Sequence, residues 1–151
     1  MILIDTNALV VLLLGLMDPR LINNHKRTSI YEEQDFNDLI SVIGSIDKLI
    51  VLPNVWTEVD NLLNDFGGEQ KYEYITRTID TMKLSSEKYI ESIKAVQSYT
   101  YYDLGLTDSL ILECAKDCDF LVTSDSGLSD YAIANGVLVY DIVKNRNERL
   151  Q

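Results

Sequence analysis

Four acidic residues stand where short apolar runs of the sequence give way to predicted helices. Asp5 directly follows one such run, and Asp125 follows another after Thr123 and Ser124. Glu58 lies one turn into the helix after a third run, and Asp108 opens a further helix. In an open parallel sheet, ligands bind beyond the carboxyl ends of the strands, so these side chains are candidates for one shared site. Each close pair of like charges costs about 1–4 kcal/mol at intermediate dielectric, and a hard cation relieves that cost. Oxygen ligands of this kind predict Mg²⁺ or Mn²⁺ chemistry.

The common use of an acid at such a junction is to cap a helix, which contributes about 0.5–2 kcal/mol. For any one of these acids alone, capping is the more frequent role. Helical geometry argues against capping for two of them, because Glu58 lies beside the apolar stripe of its helix and Asp108 lies within the face formed by Ile111, Leu112 and Ala115. A carboxylate on a core face is costly unless it is paired or binds a cation. A buried hydrogen-bond network remains the alternative for Asp108.

The composition of the 151 residues excludes several classes of function. The single histidine, His25, excludes a two-histidine ribonuclease mechanism and argues against a serine or cysteine triad. Two cysteines with one histidine fall short of the usual structural zinc sets. No GxGxxG or GxxxxGK[ST] run is present, so the common glycine-based phosphate cradles are excluded. The net charge of −11 opposes indiscriminate binding of nucleic acid and is compatible with a metal or a basic partner.

The apolar runs predict an α/β fold whose strands are covered on both faces, which is typical of a parallel sheet between helices. The predicted strands are Ile2–Ile4, Leu49–Leu52, Phe120–Val122 and Val137–Tyr140. The predicted helices are Ala8–Met17, Glu32–Ile46, Asn54–Phe66, Glu69–Lys83 and Glu87–Tyr99, with two more beginning near Asp108 and Ser126. Residues 18–29 are expected to form a long loop. We expect one domain over residues 1–143 and a short, polar, mobile tail over residues 144–151.

The apolar run Ala8–Met17 is interpreted as a buried helix. It lacks a preceding basic region and is too short to span a bilayer, so no membrane association is expected. Cys114 and Cys118 lie one helical turn apart and are expected to be reduced thiols of the core. Together these features favour a cytoplasmic protein.

Each of the four acids lies in a short segment that mixes apolar and polar residues. The segments are residues 2–9 (ILIDTNAL), 55–59 (VWTEV), 106–112 (LTDSLIL) and 121–128 (LVTSDSGL). In their order and approximate spacing they resemble the PIN domain family, over nearly the whole chain. The resemblance implies a Rossmann-like three-layer sandwich with a central parallel sheet of four or five strands. It also implies metal-dependent cleavage of RNA, as in the toxin components of bacterial toxin–antitoxin pairs.

The resemblance assigns the metal-binding acids of the family to Asp5, Glu58, Asp108 and Asp125, and its polar helpers to Asn7 and Thr123. A carboxylate-bound Mg²⁺ or Mn²⁺ can activate water and polarise a phosphate, so hydrolysis of a phosphodiester bond needs no histidine. Asn7 and Thr123 would then position water or phosphate. The alternatives are a helix cap for Asn7 and an ordinary strand-end residue for Thr123.

Contact with RNA requires local positive charge in an acidic chain. The first candidate patch contains Arg20, Lys26 and Arg27, with His25 as a loop residue beside them, and the second is the cluster of Lys144, Arg146 and Arg149. Either patch can also be an ordinary solvated loop or tail, which is the common role of short charge clusters.

Two other functions remain open at this point. A PIN-like scaffold would bind protein partners without catalysis. A phosphoacceptor signalling module would normally carry two acids at the first strand and a lysine after the last, whereas here Asp5 stands alone and Lys144 comes late. Control by an antitoxin and formation of a homodimer are also left open by the sequence.

Overall fold

Strands and helices alternate along the chain in a computed structural model that describes residues 1–151. The strands are β1 (Ile2–Ile4), β2 (Leu49–Val51), β3 (Ser86–Glu87), β4 (Phe120–Thr123) and β5 (Val139–Asp141). The helices are α1 (Thr6–Met17), α2 (Glu33–Ile43), α3 (Pro53–Asn61), α4 (Gly68–Leu84), α5 (Ser92–Val96), α6 (Thr100–Ala115), α7 (Ser126–Ala134) and α8 (Ile142–Arg149). Three 3₁₀ segments cover Pro19–Asn24, Ile46–Lys48 and Leu62–Asp65.

All five strands are parallel and form one sheet in the order β3-β2-β1-β4-β5. The predicted α/β fold is therefore confirmed, with five strands. Right-handed crossovers place α1–α4 on one face of the sheet and α5–α7 on the other. Within these groups α1 contacts α2, α3 and α4, and α6 contacts α5 and α7. The result is a Rossmann-like three-layer sandwich, and its double covering explains why β1 is apolar and buried throughout.

The order in which successive strands are added to the sheet reverses between the neighbouring parallel strands β1 and β4. After β1 the chain continues toward β2 on one side of the sheet, and after β4 it continues toward β5 on the other. Helices that leave two adjacent strands toward opposite faces open a crevice at the carboxyl ends of those strands. Asp5 and Asp125, which follow β1 and β4, therefore stand at this crevice.

Helix α1 confirms the predicted buried helix, because every residue from Ala8 to Gly15 is buried. Gly15 allows α2 to pack closely, since a Cβ atom there would lie 2.0 Å from the ring of Phe36. None of the helices combines the length and the apolar character that crossing a membrane requires.

The expected helix over Glu87–Tyr99 is wrong in its first part. Ser86 and Glu87 instead form the edge strand β3, which pairs with Ile50 and Val51 of β2, and α5 begins only at Ser92. Both residues of β3 are exposed. A two-residue exposed strand has no apolar run that a sequence could display, so its pairing with β2 was not predictable.

The segment 18–29, expected to be a loop, contains the 3₁₀ helix Pro19–Asn24. Asp18 caps it, because its Oδ1 accepts a hydrogen bond from the backbone N–H of Arg20 at 3.0 Å. The helix expected over Asn54–Phe66 is regular only to Asn61 and continues as a 3₁₀ turn. The helix expected over Glu32–Ile46 ends at Ile43, because Gly44 adopts a positive φ of 76°.

The polar segment after Val143 is not a mobile tail, because it belongs to the helix α8. Asp141 caps α8, and its Oδ1 accepts a hydrogen bond from the backbone N–H of Lys144 at 3.0 Å. Near its end, Arg149 contacts Asp35 at 2.9 Å and Asp38 at 3.1 Å on α2. The carboxylates that hold α8 are more than a hundred residues away in sequence, which is why local composition suggested a tail.

Candidate functional site

The four predicted acids meet at one cavity of about 140 Å³ at the carboxyl edge of the sheet. We call it the acid cavity; its lining is Asp5, Thr6, Asn7, Glu58, Asp108 and Asp125. No lysine or arginine lines it, and none of the four acids takes part in an ion pair of the protein. Negative charge is therefore concentrated there without a basic partner.

Asp5 is the deepest of the four acids, with 4% of its surface exposed. It caps α1, because Oδ1 accepts a hydrogen bond from the backbone N–H of Ala8 at 2.9 Å, and Oδ2 accepts one from the hydroxyl of Thr123. Burial raises the pKa of Asp5 to about 6, although these hydrogen bonds act in the opposite direction, and the charge of Asp125 raises it further.

Asp108 reaches the acid cavity because α6 is broken before it. Gly105 adopts φ 80° and ψ −176°, a non-helical conformation that glycine tolerates, so a fresh helical segment begins just ahead of Asp108. Burial raises the pKa of Asp108 to about 7, and the charges of Asp125, Asp5 and Glu58 raise it further, in that order. The acid predicted to lie on an apolar helix face is therefore held next to the other three.

Glu58 and Asp125 complete the acid cavity from opposite sides. Glu58 projects from α3 and is half-buried, and its Oε1 atom is buried without a hydrogen-bond partner. Asp125 lies at the exposed rim and caps α7, where its Oδ1 accepts a hydrogen bond from the backbone N–H of Leu128 at 3.0 Å. Capping is thus the structural role of Asp5 and Asp125, whereas Glu58 and Asp108 cap no helix.

The donors of the acid cavity are chemically those of a hard divalent cation, since they are carboxylates and one amide oxygen. The unpartnered oxygen of Glu58 is an acceptor that such an ion would satisfy. However, no group of three or more His, Cys, Asp or Glu side chains is arranged so that it could hold an ion as it stands. Both oxygens of Asp5 already accept hydrogen bonds, but a carboxylate oxygen has a second lone pair and can accept another partner.

The two predicted helpers occupy different positions. Asn7 lines the acid cavity in the first turn of α1, where Asp5 and not Asn7 supplies the cap. Thr123 is fully buried behind the cavity and bridges two acids: its hydroxyl donates to Asp5 and accepts the backbone N–H of Asp125 at 3.0 Å. Thr6 lines the cavity and was not predicted, because a threonine between Asp5 and Asn7 carries no signal of its own.

A second cavity of about 510 Å³ adjoins the first and shares Asn7 and Asp125 with it. We call it the basic cavity; its lining is Asn7, Lys26, Arg27, Ile30, Tyr31, Ser124, Asp125 and Ser126. Lys26 and Arg27 both contact Asp65, each at 2.9 Å, so two cations share one carboxylate. Their side chains remain 67% and 50% exposed, and the two cations with Asp65 carry one net positive charge beside Asp125.

Three of the remaining predicted basic residues form ion pairs elsewhere. Arg20 does not line either cavity and instead contacts Asp18 at 2.8 Å. In the second cluster, Arg149 is held by α2 and Lys144 lies 3.7 Å from Asp130. His25 lines neither cavity; it stacks on Phe66 with ring centroids 4.6 Å apart, and burial lowers its pKa.

Neither a protein-family model nor a curated protein matches this chain. Among solved structures, a domain of a functionally unknown protein from Methanocaldococcus jannaschii DSM 2661 is similar, with a TM-score of 0.48 and 17% sequence identity over 93% of this chain and 89% of that chain.

Proposed function

We propose that this chain is a Mg²⁺- or Mn²⁺-dependent endoribonuclease with a PIN-like active site. The observation that carries the proposal is the acid cavity, where four carboxylates from separate segments face one space without a basic side chain among them. A cytoplasmic location and an antitoxin or other inhibitory protein as partner belong to the same proposal.

Asp5, Glu58 and Asp108 would hold the ion, and Asp125 would complete the set from the rim. When bound, the ion would supply a water nucleophile at neutral pH and would neutralise charge that develops on the phosphate. Thr123 fixes Asp5 by donating to its Oδ2, so it positions a carboxylate and does not contact substrate.

The basic cavity supports an RNA substrate, because it offers cations within a chain of net charge −11. An RNA strand bound along both cavities would place one phosphate beside the acids and the next phosphate beside Lys26 and Arg27. Asn7 lines both cavities, and its amide can donate to a phosphate oxygen between them.

The first test measures cleavage of single-stranded RNA with Mn²⁺ or Mg²⁺. Asp5→Asn and Asp108→Asn should keep the fold, seen by circular dichroism, and should abolish metal-dependent cleavage. Asp130→Asn removes an equal charge from an exposed position on α7 and should leave the rate unchanged. Unaltered rates in both site variants would remove these residues from the mechanism.

The second test examines the basic cavity. Exchanging Lys26 and Arg27 together for alanine should raise KM more than it lowers kcat and should reduce the salt dependence of RNA binding by about one to two phosphate contacts. Arg20→Ala is the matched control, because its guanidinium contacts Asp18 away from both cavities. An equal loss in the control would show that the effect is one of overall charge.

A PIN-like scaffold without catalysis is the second candidate, and one observation favours it: no three side chains stand ready to hold an ion. A scaffold would show no rise in melting temperature with Mn²⁺, whereas the nuclease should gain stability from binding.

A phosphoacceptor module is disfavoured because no lysine lines the acid cavity and Lys144 lines a different one. Phosphorylation by acetyl phosphate, detected by intact mass, would support it nonetheless.

A further inference from the structure

Two cysteine side chains lie side by side at the amino ends of the strands, on the opposite edge of the sheet from the acid cavity. Cys114 belongs to the last turn of α6, and Cys118 lies in the turn that leads into β4. Both are free, and their Sγ atoms are 4.0 Å apart. A disulfide bond is about 2 Å long, so the two sulfurs need to approach by about 2 Å to form one.

The backbone between the cysteines is not a regular α-helix. Regular helix ends at Ala115, and the last hydrogen bonds are tighter turns, from the N–H of Asp117 to the carbonyl of Cys114 and from the N–H of Cys118 to the carbonyl of Ala115, both at 3.1 Å. As a thiol, Cys118 also donates to the carbonyl of Cys114 at 3.3 Å, which folds its sulfur back over the helix end. One sulfur is therefore fixed by the helix, and the other lies in a turn beside it.

The two sulfurs differ in how reagents reach them. Cys114 is fully buried, whereas Cys118 is partly exposed. A hydrogen bond from Cys114 lowers the pKa of Cys118 to about 7, and the nearby charge of Lys88 acts in the same direction, while burial opposes it. The pKa of Cys114 is raised. Since the thiolate is the nucleophile, the accessible sulfur is also the reactive one.

We propose that Cys114 and Cys118 form a thiol–disulfide exchange site for small disulfides, with Cys118 as the attacking and Cys114 as the resolving thiol. The thiolate of Cys118 attacks one sulfur of the incoming disulfide, forms a mixed disulfide and releases one small thiolate. Cys114 then loses its proton and attacks Cys118, which releases the second small thiolate. Two protein thiols are oxidised to one disulfide, the reagent is reduced to two thiols, and the two protein protons end on those thiols.

The test follows reduced protein in oxidised glutathione, with samples alkylated and weighed by intact-protein mass spectrometry. The wild type should pass through a single glutathione adduct and then release glutathione, which leaves a protein two hydrogens lighter than the reduced form and with no thiol for alkylation. Cys114→Ser should stop at the adduct. Cys118→Ser should form an adduct at least about tenfold more slowly than Cys114→Ser while folded, because its remaining thiol is buried, and should react once unfolded in urea.

Circular dichroism of both variants verifies that they are folded before these rates are compared. A wild type that stops at the adduct, or that keeps two free thiols, would overturn the proposal. Equal adduct rates in the two folded variants would overturn the assignment of attacking and resolving thiols. None of these readouts depends on nuclease activity or on a metal.

Discussion

Replacing Asp108 by asparagine should stabilise the protein without metal and should remove most of its response to Mn²⁺. The folded-state pKa of Asp108 is raised from 3.8 to about 7, so the folded protein keeps a proton that the unfolded chain releases over that interval. The unfolded state therefore binds fewer protons, and the free energy of unfolding falls as the pH rises from about 4 to about 7. Asparagine does not ionise, so the free energy of unfolding of Asp108→Asn does not fall in this way over the same pH range.

The size of the effect follows from the position of the carboxyl. At 1.36 kcal/mol per pKa unit the raised pKa corresponds to at most about 4 kcal/mol. Because Asp108 is only half-buried, solvent screening reduces this to about 1–2 kcal/mol. For a chain of this length each kcal/mol moves the melting temperature by about 2–4 °C. In metal-free buffer at about pH 8 the variant should melt about 2–8 °C above the wild type, and the difference should shrink toward about pH 4.

Mn²⁺ should reverse the order of the two proteins. At a concentration a hundred times the dissociation constant, an ion stabilises the folded state by about 2.7 kcal/mol. The wild type should gain that stability, and Asp108→Asn should gain much less because it lacks one ligand. Asp130→Asn, on exposed α7, should melt with the wild type in both conditions.

Differential scanning fluorimetry with and without Mn²⁺ measures all of these quantities. If Asp108→Asn melts at or below the wild type in metal-free buffer at about pH 8, burial and the neighbouring carboxylates do not destabilise the charged form of Asp108 as argued. If both proteins gain equally from Mn²⁺, Asp108 is not a ligand.

Three further predictions concern the packing and the support of the site. Gly15→Ala places a methyl group 2.0 Å from the Phe36 ring, so the free energy of unfolding in urea should fall by about 1–3 kcal/mol; an unchanged midpoint would show that α2 moves freely. Arg149→Ala leaves the fully buried carboxylate of Asp35 without its cation and should cost about 2–4 kcal/mol in the same assay, whereas a truly mobile tail would show no change. Thr123→Val removes the hydroxyl that links the Asp5 carboxylate to the backbone N–H of Asp125 and should cost about 1–2 kcal/mol together with most Mn²⁺-dependent cleavage, and Thr123→Ser should restore both.

The fold was predictable from sequence where burial leaves a local signature. Strands β1 and β4 are buried between helices, so their residues are apolar without alternation, and the acids that follow them mark the carboxyl edge of the sheet. Strand β3 pairs through two exposed residues and has no such signature. The sequence of helix α8 predicts a polar tail because Asp35, which contacts Arg149, lies on a helix far away along the chain.

The candidate site was predictable as a set of acids but only partly as a surface. The topology of parallel strands brings Asp5 and Asp125 together, and helical phase directs Asp108 inward. The sequence does not reveal which basic residues remain near the acids, since that depends on partners far along the chain. Asp65 holds Lys26 beside the acid cavity, whereas Arg20 is neutralised by its own neighbour.

The other buried acids of the protein provide the strongest support for the proposed cation site in the acid cavity. Asp35 has a fully buried side chain and contacts Arg149, and Asp65, whose side chain is 14% exposed, contacts both Lys26 and Arg27. The fold therefore supplies basic partners to these two acids, whereas Asp141, which caps α8 and is 7% exposed, is buried without one and has no other acid beside it in that cap. Asp5 is buried as deeply and stands beside three further carboxylates, yet no basic side chain lines their cavity. Because unpaired buried charge destabilises the fold, a cluster that has no protein cation and that titrates close to neutral pH supports the proposal that a cation from solution binds there.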